Sequence, residues 1–358
     1  MKKIIISLAL LCSILTLQSF ANEYESAEIE PTVTQPKAQI EVLSTMTEKS
    51  TAPNRIWVGT FQLVWNEIIE NITKAPIKFI DFNSPLVDEL NKKEFTKNDL
   101  NEFAYYVKSG TVSPLLKKKI EKDIKAKFFE SSNILDKFNW KYDPHKLFVY
   151  AMLKKDFKFL IPFEKISDAP FGDNLTPVKY FGTSEHSPKM LTQTIHILFH
   201  NSNNDFAVKL YTKGKDIVLL YRTDDEKTFD EYFADINAKA IAYPESRTFN
   251  RKDKLSVPII NLYQEVSFPE LEGHQISDTN LQIDKTLETI DFKMDNVGVK
   301  VKSEAAATVK TLSMQEEEEG RYFTFTDKFV LFLIEKNKNI PYYAMRINDI
   351  ETLNKTGK

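Results

Sequence analysis

Thr289-Ile290-Asp291-Phe292-Lys293-Met294-Asp295 opens the stretch that decides the fold. Its apolar and polar residues alternate, as on a strand with one buried face. Two dense apolar runs lie further on, Phe329-Val330-Leu331-Phe332-Leu333-Ile334 and Tyr342-Tyr343-Ala344-Met345-Arg346-Ile347. A polar turn over residues 335–341 joins them, so they read as two connected strands. Between the first strand and this pair lies a long polar connection. It holds Ser303-Glu304-Ala305-Ala306-Ala307-Thr308 and, later, Met314-Gln315-Glu316-Glu317-Glu318-Glu319-Gly320. Compact domains join their elements with a handful of residues, so a connection of this length is functional or unstructured. Four successive glutamates are costly to bury without partners, which predicts an exposed loop.

The small side chains of Ala305, Ala306 and Ala307 carry little rotamer entropy and would enter a gap between strands without clashing. The run is also ordinary helix composition, so an alanine-rich helix start or a flexible linker stays open. In this order of parts the chain resembles the carboxy-terminal region of the serpin family. The resemblance rests on the hinge-like run from Ser303 to Thr308, the strands starting at Phe329 and Tyr342, and the spacing between them. Residues 205–210 and 257–260 are similar to central serpin strands. Asn83-Ser84-Pro85-Leu86 echoes part of the family's shutter. The resemblance covers roughly the last quarter of the chain and is poor before Leu147.

The resemblance implies a serpin-like α+β fold, with amino-terminal helices, large mixed sheets and an exposed loop near the carboxy terminus. It also implies action on a peptidase. Cleavage near Met314, Gln315, Glu316 and Glu317 would let Ser303, Glu304, Ala305, Ala306, Ala307 and Thr308 enter the sheet as a hinge. Lys302 stands where the family carries a hinge glycine, which implies slow insertion, and a glutamate at Ala306 is expected to block it. This mechanism uses no catalytic residue and no cofactor. The alternative is a non-inhibitory binding or scaffold protein with the same fold.

The amino terminus reads as an export signal: Lys2 and Lys3, an apolar run over residues 4–17, then Ser19-Phe20-Ala21. That pattern predicts cleavage after Ala21 and a periplasmic or secreted protein. The apolar run is short for a membrane span, and no later one is long enough. Cys12, the single cysteine, lies within the signal, so the mature chain is expected to have neither disulfide nor thiolate site. Residues 22–54 are rich in Glu, Thr, Pro and Gln and read as a disordered linker. A single domain is expected over 55–358. With a net charge of −3, nothing points to nucleic acid. A monomer is expected.

Trp57, Phe61, Val64, Trp65, Ile68, Ile69 and Ile72 recur at helical spacing and predict a core-packing helix. Residues 77–82 read as a short strand. Ser84-Pro85 opens a helix to Leu90, and residues 96–107 read as another. Ser113-Pro114 pairs a capping hydroxyl with proline at the first helical position, and Leu116, Ile120, Ile124 and Phe128 follow. From Leu147 the chain is strand-rich, with a helix over 229–240. Helices first and strands later indicate an α+β domain.

Site motifs are sparse. His196 and His200 lie four apart, but on a strand, where chelation is difficult, so no metal is expected. Asp143-Pro144-His145 reads as an acid–base pair or, equally, as a turn opening a strand. Asp224, Asp225 and Glu226, and residues 316–319, are carboxylate clusters that read as solvated loops. With 9 glycines in the chain, phosphate-cradling loops are hard to build, and no nucleophile elbow occurs.

Overall fold

In the computed structural model, which describes residues 40–300 and 320–353 apart from 174, 285 and 287, the polar segments turn and the apolar runs pair. The first part of the chain holds β1 (Ile40–Leu43), β2 (Asn54–Val58), α1 (Gly59–Ile68), α2 (Pro85–Asn91), β3 (Tyr105–Val112) and α3 (Pro114–Phe128). Next come β4 (Asp143–Leu153), β5 (Asp156–Lys158), β6 (Glu164–Phe171), β7 (Thr176–Gly182) and α4 (Lys189–Thr192). β8 (Ile195–Ser202), β9 (Asp205–Tyr211), β10 (Asp216–Arg222) and α5 (Phe229–Ala242) follow. The last part holds β11 (Lys254–Pro258), β12 (Ile260–Val266), β13 (Gln282–Ile283), β14 (Glu288–Met294) and β15 (Gly298–Lys300). It ends with β16 (Tyr322–Thr324), β17 (Phe329–Glu335) and β18 (Tyr343–Ile347).

The strand pair read from the sequence is the middle of a seven-stranded sheet, ordered β1-β2-β18-β17-β10-β9-β8. β17 and β18 are buried along almost their whole length, so their runs are continuously apolar rather than alternating. Phe332 meets Phe229 and Phe233 of α5 edge-on, closing one face of the sheet. Three smaller sheets complete the described chain: β16-β11-β7-β6, β12-β14-β15-β5 and β13-β4-β3. The result is α+β, as expected.

A buried ion cluster holds the centre in register. Asp216 and Glu335 stand opposite each other on β10 and β17. Lys155 neutralises both, at 2.7 Å from Asp216 and in a closer contact with Glu335. The hydroxyl of buried Tyr342 donates to Asp216 at 3.0 Å. Two carboxylates facing each other in the core are tolerable only with such a cation between them.

The capped helices form where the sequence predicts them. Ser84 caps α2 and Ser113 caps α3, each accepting a backbone N–H. Leu116, Ile120, Ile124 and Phe128 are the buried face of α3. Its lysines pair along the outer face, Lys117 with Glu121 and Lys119 with Asp123.

Several expectations are corrected. Residues 40–54 are not linker: β1 pairs in parallel with β2 and buries Val42 and Leu43. Residues 1–21 and 22–39, expected to be signal and linker, lie outside the described residues. Trp57 belongs to β2, not to the helix, because that segment pairs with β18 until Gly59. A side chain at Gly59 would lie 2.3 Å from the ring of Phe95, so the helix starts at a forced close approach. Residues 96–107 are not one helix. Thr96 and Asp99 form a capping box around a single 3-10 turn, and Tyr105 then starts β3. Its aromatic and β-branched residues pair with β4, so sheet partners override the cap. Of the strand expected over 77–82, only a bridge from Phe79 to Ile276 forms.

Candidate functional site

The site is a slot between two sheets. On one side β14 pairs with β12 along its full length, but its other edge is occupied only at Lys293 and Met294, by β15. On the other side β4 pairs with β3, while its free edge meets β13 only at Lys146 and Leu147. Glu288 to Phe292 and Phe148 to Leu153 therefore face a space with no strand between them among the described residues. The free edge of β14 runs for roughly 16 Å at about 3.3 Å per residue. A cavity of about 230 Å³ fills this place.

Local rules explain its walls. β4 alternates, so Phe148 and Tyr150 point to the α3 side while Leu147 joins the main core. Phe61, Val64, Trp65 and Ile68 of α1 line the cavity from the core side. Trp65 is buried, and its indole N–H donates to Asn91 at 3.0 Å. The 3-10 turn Asn133–Lys137 lies at the opposite side, where Lys137 pairs with Glu265 of β12.

β15 is a short strand held between two others. It is hydrogen-bonded to β14 on one side and to β5 on the other. The chain reverses through Asp295, whose carboxylate accepts the N–H of Val297 at 2.8 Å. Gly298 then packs so tightly that a Cβ would lie 2.2 Å from the carbonyl oxygen of Phe157. That close approach of β15 to β5 is what requires glycine at 298, while Lys302, read as the hinge-glycine position, lies outside the described residues. Val299 is buried and Lys300 is half-exposed.

The polar group of the slot is Glu288. It is 6% exposed, and Thr60 Oγ1 donates to its Oε1 at 2.7 Å. Its Oε2 is buried without a partner. Burial raises its pKa from 4.5 to about 7, against the hydrogen bonds from Thr60 and the Phe61 N–H. The hydroxyl of Tyr343 also lines the cavity, buried and without a partner. Burial, and then the charge of Glu288, raise its pKa well above 10. The ring of Tyr343 stacks on Phe292 at 4.8 Å. A sequence signal for Glu288 existed: it shares the buried phase of Ile290, Phe292 and Met294.

The hinge run Ser303, Glu304, Ala305, Ala306, Ala307 and Thr308 lies outside the described residues, as do Met314, Gln315, Glu316 and Glu317. His196 and His200 both sit on β8, beside Tyr211 and Phe206 respectively. Burial lowers the pKa of both. No group of three or more metal-ligating residues occurs among the described residues. Asp224, Asp225 and Glu226 are ion-pair partners of Arg222, Lys227, and the pair Arg55 and Arg346. Asp143 accepts the N–H of His145 at 2.9 Å at the start of β4, so these residues open a strand. No described helix is long and apolar enough to cross a membrane.

No protein-family model matches the sequence, and no curated protein is similar to it in sequence. Solved structures are similar in fold. The thermophilic serpin tengpin, in its native state, matches over 85% of this chain and 90% of its own, at 12% identity and a TM-score of 0.49. Human thyroxine-binding globulin, solved with its hormone, matches over 82% and 91%, at 12% identity and a TM-score of 0.43. Serpin48 of the insect Tenebrio molitor matches over 81% and 95%, at 12% identity and a TM-score of 0.39. Each of these serpin structures is similar to this chain over most of its length, and the described chain itself is α+β, with a seven-stranded sheet around β17 and β18.

Proposed function

We propose that this chain is a peptidase inhibitor that works by strand insertion, with the segment after Lys300 entering the slot once its loop is cut. The observation that carries the reading is the half-built strand: β15 already lies between β14 and β5, and the slot continues from its end. The pairing of Lys293 with Lys300 and Met294 with Val299 sets the register. Carried on, it sets Ser303 opposite Ile290 and Ala305 opposite Glu288. Side chains alternate along a strand, so Val301, Ser303, Ala305 and Ala307 share the inward face of Val299. Lys302, Glu304 and Ala306 share the outward face of Lys300. Small residues then fall where space is tight and charges fall toward solvent. Lys302 would take an outward position in this register, and a glutamate at Ala306 would face outward as well.

Export before Asn22 belongs to the same proposal, since the target would be met outside the cytoplasm. The second reading, a binding or scaffold protein without inhibition, is favoured by the far end of the slot. There β13 pairs with β4 at Lys146 and Leu147 and must part before an inserted strand can run the full length of β4.

The test is a cut by a glutamate-selective peptidase at residues 316–319, followed by thermal melting. Insertion adds a strand with its hydrogen bonds and buried face, so the cut form should melt several degrees above the intact one. Ala305→Glu should remove the gain, because an unpaired carboxylate would face Glu288 in the core. Ala306→Glu should keep it. A cut form that melts at or below the intact one removes the inhibitor reading and leaves the binding protein.

A further inference from the structure

We propose that the slot is also a ligand site for a small aryl alcohol, a flat apolar molecule with one hydroxyl group. The cavity of about 230 Å³ is far larger than one water requires. Phe61, Val64, Trp65, Ile68, Val149 and Ile290 supply an apolar lining that favours a flat hydrocarbon.

Two polar side chains interrupt that lining, and they define the ligand. At pH 8, where Glu288 is ionised, its Oε2 is an acceptor with no donor, and Tyr343 OH is a donor with no acceptor. Both residues are more than nine-tenths buried, and both line the cavity. They do not satisfy each other. Each orphan carries a desolvation penalty that a suitable partner would relieve.

A hydroxyl is the group that answers both, because it donates one hydrogen bond and accepts another. An ammonium can donate to Glu288 but accepts nothing from Tyr343. A carboxylate accepts from Tyr343 but brings a second negative charge beside Glu288. A hydrocarbon of the same shape leaves both orphans as they are. Sites built to bond a hydroxyl reject the analogue that lacks it, because their own buried groups then stay unpaired. The site occupies the same slot as the proposed inserted strand, but binding is read on the uncut chain. Success or failure here is therefore independent of insertion.

Titration calorimetry on the uncut full chain at pH 8, where Glu288 is ionised, would use 4-ethylphenol, ethylbenzene and 4-ethylbenzoate. The expected order is 4-ethylphenol tighter than ethylbenzene by at least about tenfold, with no heat from 4-ethylbenzoate. Glu288→Gln and Tyr343→Phe should each bring the first two probes to within about threefold of each other. Absence of 4-ethylphenol binding at millimolar concentration would overturn the proposal, since the cavity then holds water only. So would an unchanged preference in both variants. If either variant does not fold, the wild-type chain decides alone: equal affinity for 4-ethylphenol and ethylbenzene refutes the assignment.

Discussion

Replacing Glu288 by glutamine should change how stability depends on pH. The carboxyl is buried, and its pKa rises from 4.5 to about 7 on folding. Between those values the folded chain holds a proton that the unfolded chain has released. Stability therefore falls as pH rises through this window, and the loss is complete above about 7. At about 1.36 kcal/mol per pH unit, the full effect is roughly 3 kcal/mol. Glutamine keeps the shape and can still accept from Thr60, but it does not ionise. Urea denaturation of both proteins at pH 5, 6, 7 and 8 isolates the effect, because the other carboxylates cancel in the difference. The variant should gain on the wild type by about 2–3 kcal/mol between pH 5 and pH 8. A difference that stays constant across those pH values would show that Glu288 is not held in a desolvated site.

Lys155→Met leaves Asp216 and Glu335 facing each other without a cation, and should cost about 3–5 kcal/mol in urea unfolding. A loss below about 1 kcal/mol would mean that the cluster is not desolvated. Gly298→Ala places a methyl group 2.2 Å from the Phe157 carbonyl oxygen and should free β15. Amide exchange should then speed up in β5 and β15 and stay slow in β17; slow exchange throughout would contradict the packing described. Incubation with a chelator should leave the melting temperature unchanged, whereas a drop of several degrees would require a metal near His196 and His200.

Much of the fold was legible locally. The α3 helix follows from Ser113, Pro114 and a four-residue apolar step, all within one stretch of chain. β17 and β18 follow from runs so apolar that only a buried sheet interior can hold them. What misled the reading was also local. Trp57 and Phe61 are spaced as on a helix, yet β18 recruits Trp57 into a strand. Thr96 and Asp99 cap a helix that β4 prevents, by pairing with Tyr105 and the residues after it. Residues 40–43 look too short and polar for structure until β2 offers them an edge.

For the site the division is sharper. Composition alone made Ala305 and Ala306 equivalent. The pairing of Val299 with Met294, carried past Lys300, is what would distinguish them. The slot, the buried Glu288 and the orphan hydroxyl of Tyr343 exist only where β4, α1, β14 and β18 come together. Hydrophobic period and capping act over a few neighbouring residues, so α3, β17 and β18 could be read from the chain alone. Which edges stay unpaired, which charges lose their water and which short segments become strands depend on partners far away along the chain, so these emerge only in the fold.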